Sequence, residues 1–211
     1  MMFPFVTEQG CARGHGAMET FRKLVPTDLN SLHRHLLALG PEQRQMRFHG
    51  SVSDIAIERY CRDIDWFRTI TLGYFVGSRL RGAVQLTFDR PWLPRRGELA
   101  ITVETPWQGR GVGTELTRRA LTIARNRGVA HLVITCLVEN GPMRRIARKL
   151  GGALRFNPGT VAADVELRNP DAFTFFEELI ADSCAAAAAM FEPLAGDGDL
   201  ATSDRSQTSL S

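Results

Sequence analysis

The residues with the clearest chemical use lie between 103 and 114, where Trp107-Gln108-Gly109-Arg110-Gly111-Val112-Gly113-Thr114 follows Val103-Glu104-Thr105-Pro106. A strand-like stretch, 98–104, precedes the glycines, and a strong helical pattern to about residue 127 follows them. Backbone N–H groups gathered at the positive end of a helix form an anion site well suited to a pyrophosphate. Glycine is needed because a β-carbon would hold the backbone away from the phosphates. Two common phosphate loops are excluded by spacing. A P-loop requires Gly-Lys-Ser/Thr after a four-residue gap, and no lysine follows here. A dinucleotide loop reads GxGxxG at the start of a βαβ unit, whereas this one reads GxGxG after four strands. Taken alone, the loop also fits a tight strand-to-helix turn that holds nothing.

Other reactive side chains offer less. Cys11, Cys61, Cys136 and Cys184 form no CxxC pair, which argues against a zinc site or a disulfide framework and fits a reducing, cytoplasmic setting. Cys136 falls midway along an apolar strand and reads as an inert core thiol. His33, His35 and His49 lack metal-ligand spacing, so no metal is expected. Glu98 and Glu104 are separated by an even number of residues and share a strand face.

The elements that would position these residues follow from periodicity and breakers. A short strand at 20–25 leads to Pro26-Thr27-Asp28, a helix start. Leu29, Leu32, Leu36 and Leu39 then follow at helical spacing until Gly40-Pro41 ends that helix. A second helix is expected at about 54–64 behind Ser53, an N-cap. Strands at 68–76 and 81–88 join through Gly77-Ser78-Arg79, and Gly128 closes the long helix after the glycine loop. An apolar strand at 129–138, a short helix at 142–150 and strands at 153–156 and 161–167 complete the domain. Asn169-Pro170-Asp171 starts a further helix to about 192, and the Gly-, Asp- and Ser-rich residues 193–211 read as a disordered tail. Residues 1–18 read as a loose lead-in.

The whole chain has 211 residues with 44% hydrophobic and 23% charged side chains, consistent with a single soluble domain. A net charge of +3 does not call for nucleic acid, and no apolar run approaches the roughly 20 residues that span a bilayer. Nothing in residues 1–6 reads as a signal peptide.

Gln108, Gly111 and Gly113 also fit Gln/Arg-x-x-Gly-x-Gly/Ala after a strand, the pyrophosphate loop of the GNAT superfamily of N-acetyltransferases, which the sequence resembles over about 19–168. Asn140, followed by Met143-Arg144-Arg145-Ile146-Ala147-Arg148-Lys149-Leu150-Gly151, resembles that family's second coenzyme A segment. Gly97-Glu98-Leu99-Ala100-Ile101-Thr102-Val103 and Arg47-Phe48-His49 look most like the catalytic domain of bacterial Pat-type protein lysine acetyltransferases.

The resemblance implies an α/β fold of the α+β kind. Its mixed, mostly antiparallel sheet has about seven strands, with one splayed pair and flanking helices. It implies acetyl-CoA as acyl donor, no metal, and a primary amine as acceptor, either a protein lysine or a small molecule. Ile101 and Val103 would contact the cofactor through main chain, and the Val103 amide would polarise the thioester carbonyl. Gln108, Gly109, Arg110, Gly111, Val112, Gly113 and Thr114 would hold the diphosphate. Asn140 would bond the pantetheine arm, and Met143 and Arg145, with Arg144 and Arg148, would lie along the cofactor. Glu98 is the candidate base and Glu104 the second choice. Ala147 stands where many members carry a proton-donating Tyr, so no general acid is assigned. The acceptor site is expected around 40–53 and 157–160. A non-catalytic acyl-CoA-binding sensor or partner-binding module remains the alternative. Monomer and homodimer are both open, and residues 169–192 are expected to pack on the domain.

Overall fold

The structure, a computed structural model, describes residues 17–167 and Ser183. The expected tail, the expected C-terminal helix apart from Ser183, and all but the last two residues of the lead-in lie outside the described residues. Seven strands form one sheet: β1 (Glu19–Lys23), β2 (Thr69–Val76), β3 (Arg79–Phe88), β4 (Arg96–Val103), β5 (His131–Leu137), β6 (Ala153–Asn157) and β7 (Thr160–Glu166). Their order across the sheet is β1-β2-β3-β4-β5-β7-β6. Each neighbouring pair is antiparallel except β4 with β5, which is parallel. The helices are α1 (Leu29–Leu37), α2 (Pro41–Phe48), α3 (Asp54–Arg62), α4 (Val112–Asn126) and α5 (Gly141–Lys149). This is the expected mixed, mostly antiparallel architecture.

Period-2 patterning sends alternate strand residues to two different cores. Leu72, Tyr74, Val84, Leu86, Leu99, Leu132 and Ile134 meet α4 and α5 on one face, through Val112, Leu116, Ala120, Met143 and Ala147. On the other face Phe75, Leu80 and Ala83 meet α1 and α3 through Leu32, Leu36, Ile57 and Cys61. Burying leucine-sized side chains contributes roughly 1.5–3 kcal/mol each, so both layers hold the sheet firmly.

Ser53 caps α3 as expected, its Oγ accepting from the Ala56 N–H. The hairpin between β2 and β3 turns on Gly77 at φ +56°, and Gly128 follows α4 at φ +75°. One element departs from expectation. The chain does not stay irregular after Gly40-Pro41 but forms α2, making three helices before β2 rather than two. Its sequence, Pro41-Glu42-Gln43-Arg44-Gln45-Met46-Arg47-Phe48, has no fully buried residue and no wide apolar stripe, so periodicity misses it. Polar bonds hold it instead. The Gly40 N–H donates to Gln43 Oε1 at 3.1 Å. Arg44 donates to the carbonyls of Leu39 and Leu37 at 3.0 and 2.7 Å, tying α2 to the end of α1. Pro41, rather than ending the first helix, occupies the first turn of the next.

Candidate active site

The sheet has a split, and its position follows from register. β4 and β5 pair only where Arg96, Gly97 and Glu98 face His131, Leu132 and Val133. β4 stays paired with β3 through Val103, and β5 stays paired with β7 along its length. Beyond Glu98, therefore, the inner edges of β4 and β5 part. The direction of the β4 peptide groups is fixed as well. The Glu104 N–H donates to the Arg81 carbonyl at 3.0 Å, so strand alternation turns Ala100 and Thr102 toward β3 and Ile101 and Val103 toward the gap. The Val103 carbonyl accepts from Gln43 Nε2 at 2.9 Å and from Gln108 Nε2 at 2.8 Å, consistent with that orientation.

The glycine loop stands at the open end of the split. Gly109 and Gly111 take φ of +72° and +85°, backbone that other residues adopt only with strain, and a β-carbon at either would meet nothing within 4 Å. The surface above them is thus open backbone. Gly111 caps α4 without a side-chain bond, and the first intrahelical bond runs from the Glu115 N–H to the Gly111 carbonyl. The amides of Val112, Gly113 and Thr114 accordingly have no acceptor within their own helix. A β-carbon on Gly113 would approach Ile101 Cδ1 to 3.6 Å and Val103 Cγ2 to 3.8 Å. The amide-bearing end of α4 is therefore seated on the two residues whose peptide groups face the gap. Arg110 is exposed and stacks on Trp107 at 4.8 Å, while Trp107 packs edge-on to Tyr74.

The remaining predicted residues fall at varying distances from this centre. Glu98 is exposed, on the α1–α3 face of the sheet, at the last pair before the strands part. Glu104 is buried just past β4. Its Oε1 accepts from His35 Nδ1 at 3.3 Å and its Oε2 from Arg81 at 2.8 Å. Burial alone would raise this carboxyl; the hydrogen bonds and charges of His35 and Arg81 outweigh it and hold the group below its ordinary value of 4.5. With both oxygens engaged and proton affinity reduced, Glu104 is poorly suited to take a proton from an amine. Asn140 starts α5 and its Oδ1 accepts from the Met143 N–H at 3.1 Å, so the cap uses the acceptor end of the carboxamide. The Met143 side chain is buried in the α4–α5 core and Arg145 is exposed. Ala147 is buried, 1% exposed, against that core. Cys136 is buried and burial raises its thiol, as expected of an inert core cysteine.

Sequence reasoning missed a polar layer on the α1–α3 face. His35 reaches Thr102 Oγ1 through Nε2 at 2.9 Å as well as Glu104 through Nδ1. Because an ionised carboxylate can only accept, Nδ1 carries the proton in that pair. Arg47 donates to Tyr60 Oη and Gln85 Oε1, both at 2.6 Å, and Tyr60 donates to the same Gln85 oxygen at 2.7 Å. These partners lie tens of residues apart, and only a lone His or Gln within an otherwise core-like stretch hinted at them. Among the described residues no group of three or more His, Cys, Asp or Glu side chains could hold a metal ion. None of the described helices is long and apolar enough to cross a membrane.

A seven-stranded sheet with a parted parallel pair and an amide-lined glycine turn at the parting defines the acyltransferase class with the GNAT fold. The acetyltransferase (GNAT) domain family model matches residues 20–153, and the chain belongs to that family. A curated relative, acetyltransferase Pat of Mycolicibacterium smegmatis, is 34% identical over 84 residues, 39% of this chain and 25% of its own length. The chain thus matches about a quarter of that protein. Among solved structures, the GNAT domain of S. lividans PAT superposes with a TM-score of 0.59 at 21% identity, covering 70% of this chain and 89% of that one. A cAMP-binding acyltransferase from Mycobacterium smegmatis gives 0.52 at 22% identity, covering 80% and 49%. At these identities the structures support the fold.

Proposed function

We propose that the protein is an acetyl-CoA-dependent N-acetyltransferase that acetylates a primary amine. The observation that carries this reading is the coincidence of the β4–β5 split, the gap-facing peptide groups of Ile101 and Val103, and the amide cluster Val112 to Thr114 at its mouth. An extended chain ending in a diphosphate suits that combination: the diphosphate meets free amides, and the arm adds itself to the parted strand edge. Gln108 and Gln43 bond the Val103 carbonyl, so an arm that seeks this carbonyl would displace one of them.

Acetyl-CoA, when bound, supplies the acyl group as a thioester open to attack by a neutral amine. The protein's own groups would do three things. The Val103 N–H would donate to the carbonyl oxygen as charge builds on it, with the Ile101 N–H, turned the same way, two residues nearer Glu98. Glu98 would receive the proton of an amine whose ordinary pKa is about 10.4, relayed through water, since five residues of extended strand separate it from Val103. Buried Ala147 offers no proton, so the leaving thiolate would take its proton from solvent or the acceptor side. Glu98→Gln tests the assignment. Acetyl transfer, followed by thiol release over a panel of amines, should fall about 10²–10⁴-fold while coenzyme A affinity is unchanged. Undiminished turnover would remove Glu98 from the mechanism. Tight coenzyme A binding by the wild type without turnover on any acceptor would favour a non-catalytic sensor.

A further inference from the structure

We propose that the acceptor is a small amine carrying a carboxylate, received by Arg47, rather than a lysine within a basic peptide; this rests on the transferase reading above. Arg47 lies on α2, the helix that packs against both β4 and β5 and so lies over the split on the α1–α3 face. It is only partly exposed, and its hydrogen-bond partners, Tyr60 and Gln85, are neutral. Among the described residues no carboxylate forms an ion pair with it. A guanidinium drawn onto a sheet without a counter-charge incurs desolvation that an incoming anion would offset. The Phe48 and Tyr60 rings at 4.9 and 5.3 Å share its charge in the meantime.

A second, independent feature lies directly beneath it. Gln85 is 4% exposed and Thr71 is 1% exposed, and the two stand opposite each other on β3 and β2. Gln85 Nε2 and Thr71 Oγ1 are both buried without a hydrogen-bond partner. An unsatisfied buried donor is costly, so a cross-strand pair of them marks a place prepared for polar atoms from elsewhere. Both can donate, as Arg47 does, and three donors with no acid suit a carboxylate. Tyr60 and Arg47 converge on Gln85 Oε1, which leaves the Nε2 end of the amide without a partner.

Register then relates this place to the candidate base. Gln85 pairs with Ala100 and Thr87 with Glu98, so Gln85 and Glu98 are diagonal neighbours on one face, about 7–8 Å apart along the backbone. Ala100, between them on β4, projects only a methyl group. A molecule with its carboxylate on Arg47 and its nitrogen toward Glu98 spans a few bonds, the separation found in α- to γ-amino acids. A polycationic peptide would bring like charge to Arg47; Arg44, one turn away on the same helix, is already paired with Asp54.

Matched pairs decide the point: glycine against glycinamide, β-alanine against β-alaninamide, and 4-aminobutyrate against 4-aminobutanamide, with a lysine peptide as a further acceptor. Binding to the coenzyme A-loaded protein is measured by calorimetry, and acetylation by thiol release. At least one carboxylate should exceed its amide roughly 10- to 100-fold, and Arg47→Gln should erase that ratio while Arg47→Lys retains part of it. Equal binding within every pair, no binding at all, or preference for the lysine peptide would overturn the proposal. The wild-type ratio stands as a test even where Arg47→Gln fails to fold. Carboxylate-selective binding without acetyl transfer would leave this site intact and remove the transferase reading instead.

Discussion

At the scale of single residues, two glutamates on one strand face have been given different surroundings. Glu98 sits exposed at the end of the β4–β5 pairing, whereas Glu104 is enclosed by His35 and Arg81. Even spacing placed both on one face; it could not say which would be neutralised by partners from α1 and β3. Glu104→Gln should therefore act on stability more than on chemistry. It leaves Arg81 without its counter-charge, and because Arg81 is partly exposed the expected loss is about 2 kcal/mol. For a chain of this size that lowers Tm by roughly 4–8 °C in a calorimetric scan. The pH dependence has a definite sign. A carboxyl held below its ordinary value in the folded state adds stability that is present above about pH 4.5 and is lost as pH falls through the lowered folded value. Wild-type Tm should thus drop over that acid range, and the drop should be shallower in Glu104→Gln.

Among elements, the loop into α4 and helix α2 make opposite points. The loop was legible because its turn favours a residue type that leaves a mark: glycine at positive φ, backbone that other residues adopt only with strain. Gly111→Ala should cost about 1–2 kcal/mol from the left-handed conformation alone. It also places a methyl group on the open surface beside the Val112–Thr114 amides. Coenzyme A affinity, measured by calorimetry, should fall at least tenfold, against no change for a substitution at exposed Arg59 on α3. Unaltered affinity would show that the diphosphate is held elsewhere. Helix α2 left no such mark. It is polar on nearly all sides and is held by side chain-to-backbone bonds from Gln43 and Arg44, yet it delivers Gln43 to the Val103 carbonyl and Arg47 to Gln85.

For the whole molecule, the split is a strain on sheet completeness that the two cores tolerate. The gap-facing peptide groups of Ile101 and Val103 forgo a neighbouring strand, while β3–β4 and β5–β7 hold either side in place. A ligand that supplies the missing edge binds the folded state alone. At one hundred times its dissociation constant, coenzyme A should stabilise by about 2.7 kcal/mol, equivalent to a rise in Tm of roughly 5–10 °C. Differential scanning calorimetry across a coenzyme A titration measures this directly. A Tm indifferent to saturating coenzyme A would contradict the proposed donor site.

The sequence by itself determined the strands, the long helix, the glycine turn and the family resemblance, because period-2 alternation, period-3.6 stripes and glycine at strained dihedrals are local consequences of residue type. It also placed Glu98, Ile101 and Val103 on one strand. Only the tertiary structure decided where β4 leaves β5, since register depends on both partners and no residue in either strand announces it. The same holds for the tying of Glu104 to His35 and Arg81, and for Arg47 above Gln85 and Thr71. Those contacts join residues tens of positions apart through polar groups, and polar contacts, unlike apolar stripes, impose no period on the chain that makes them.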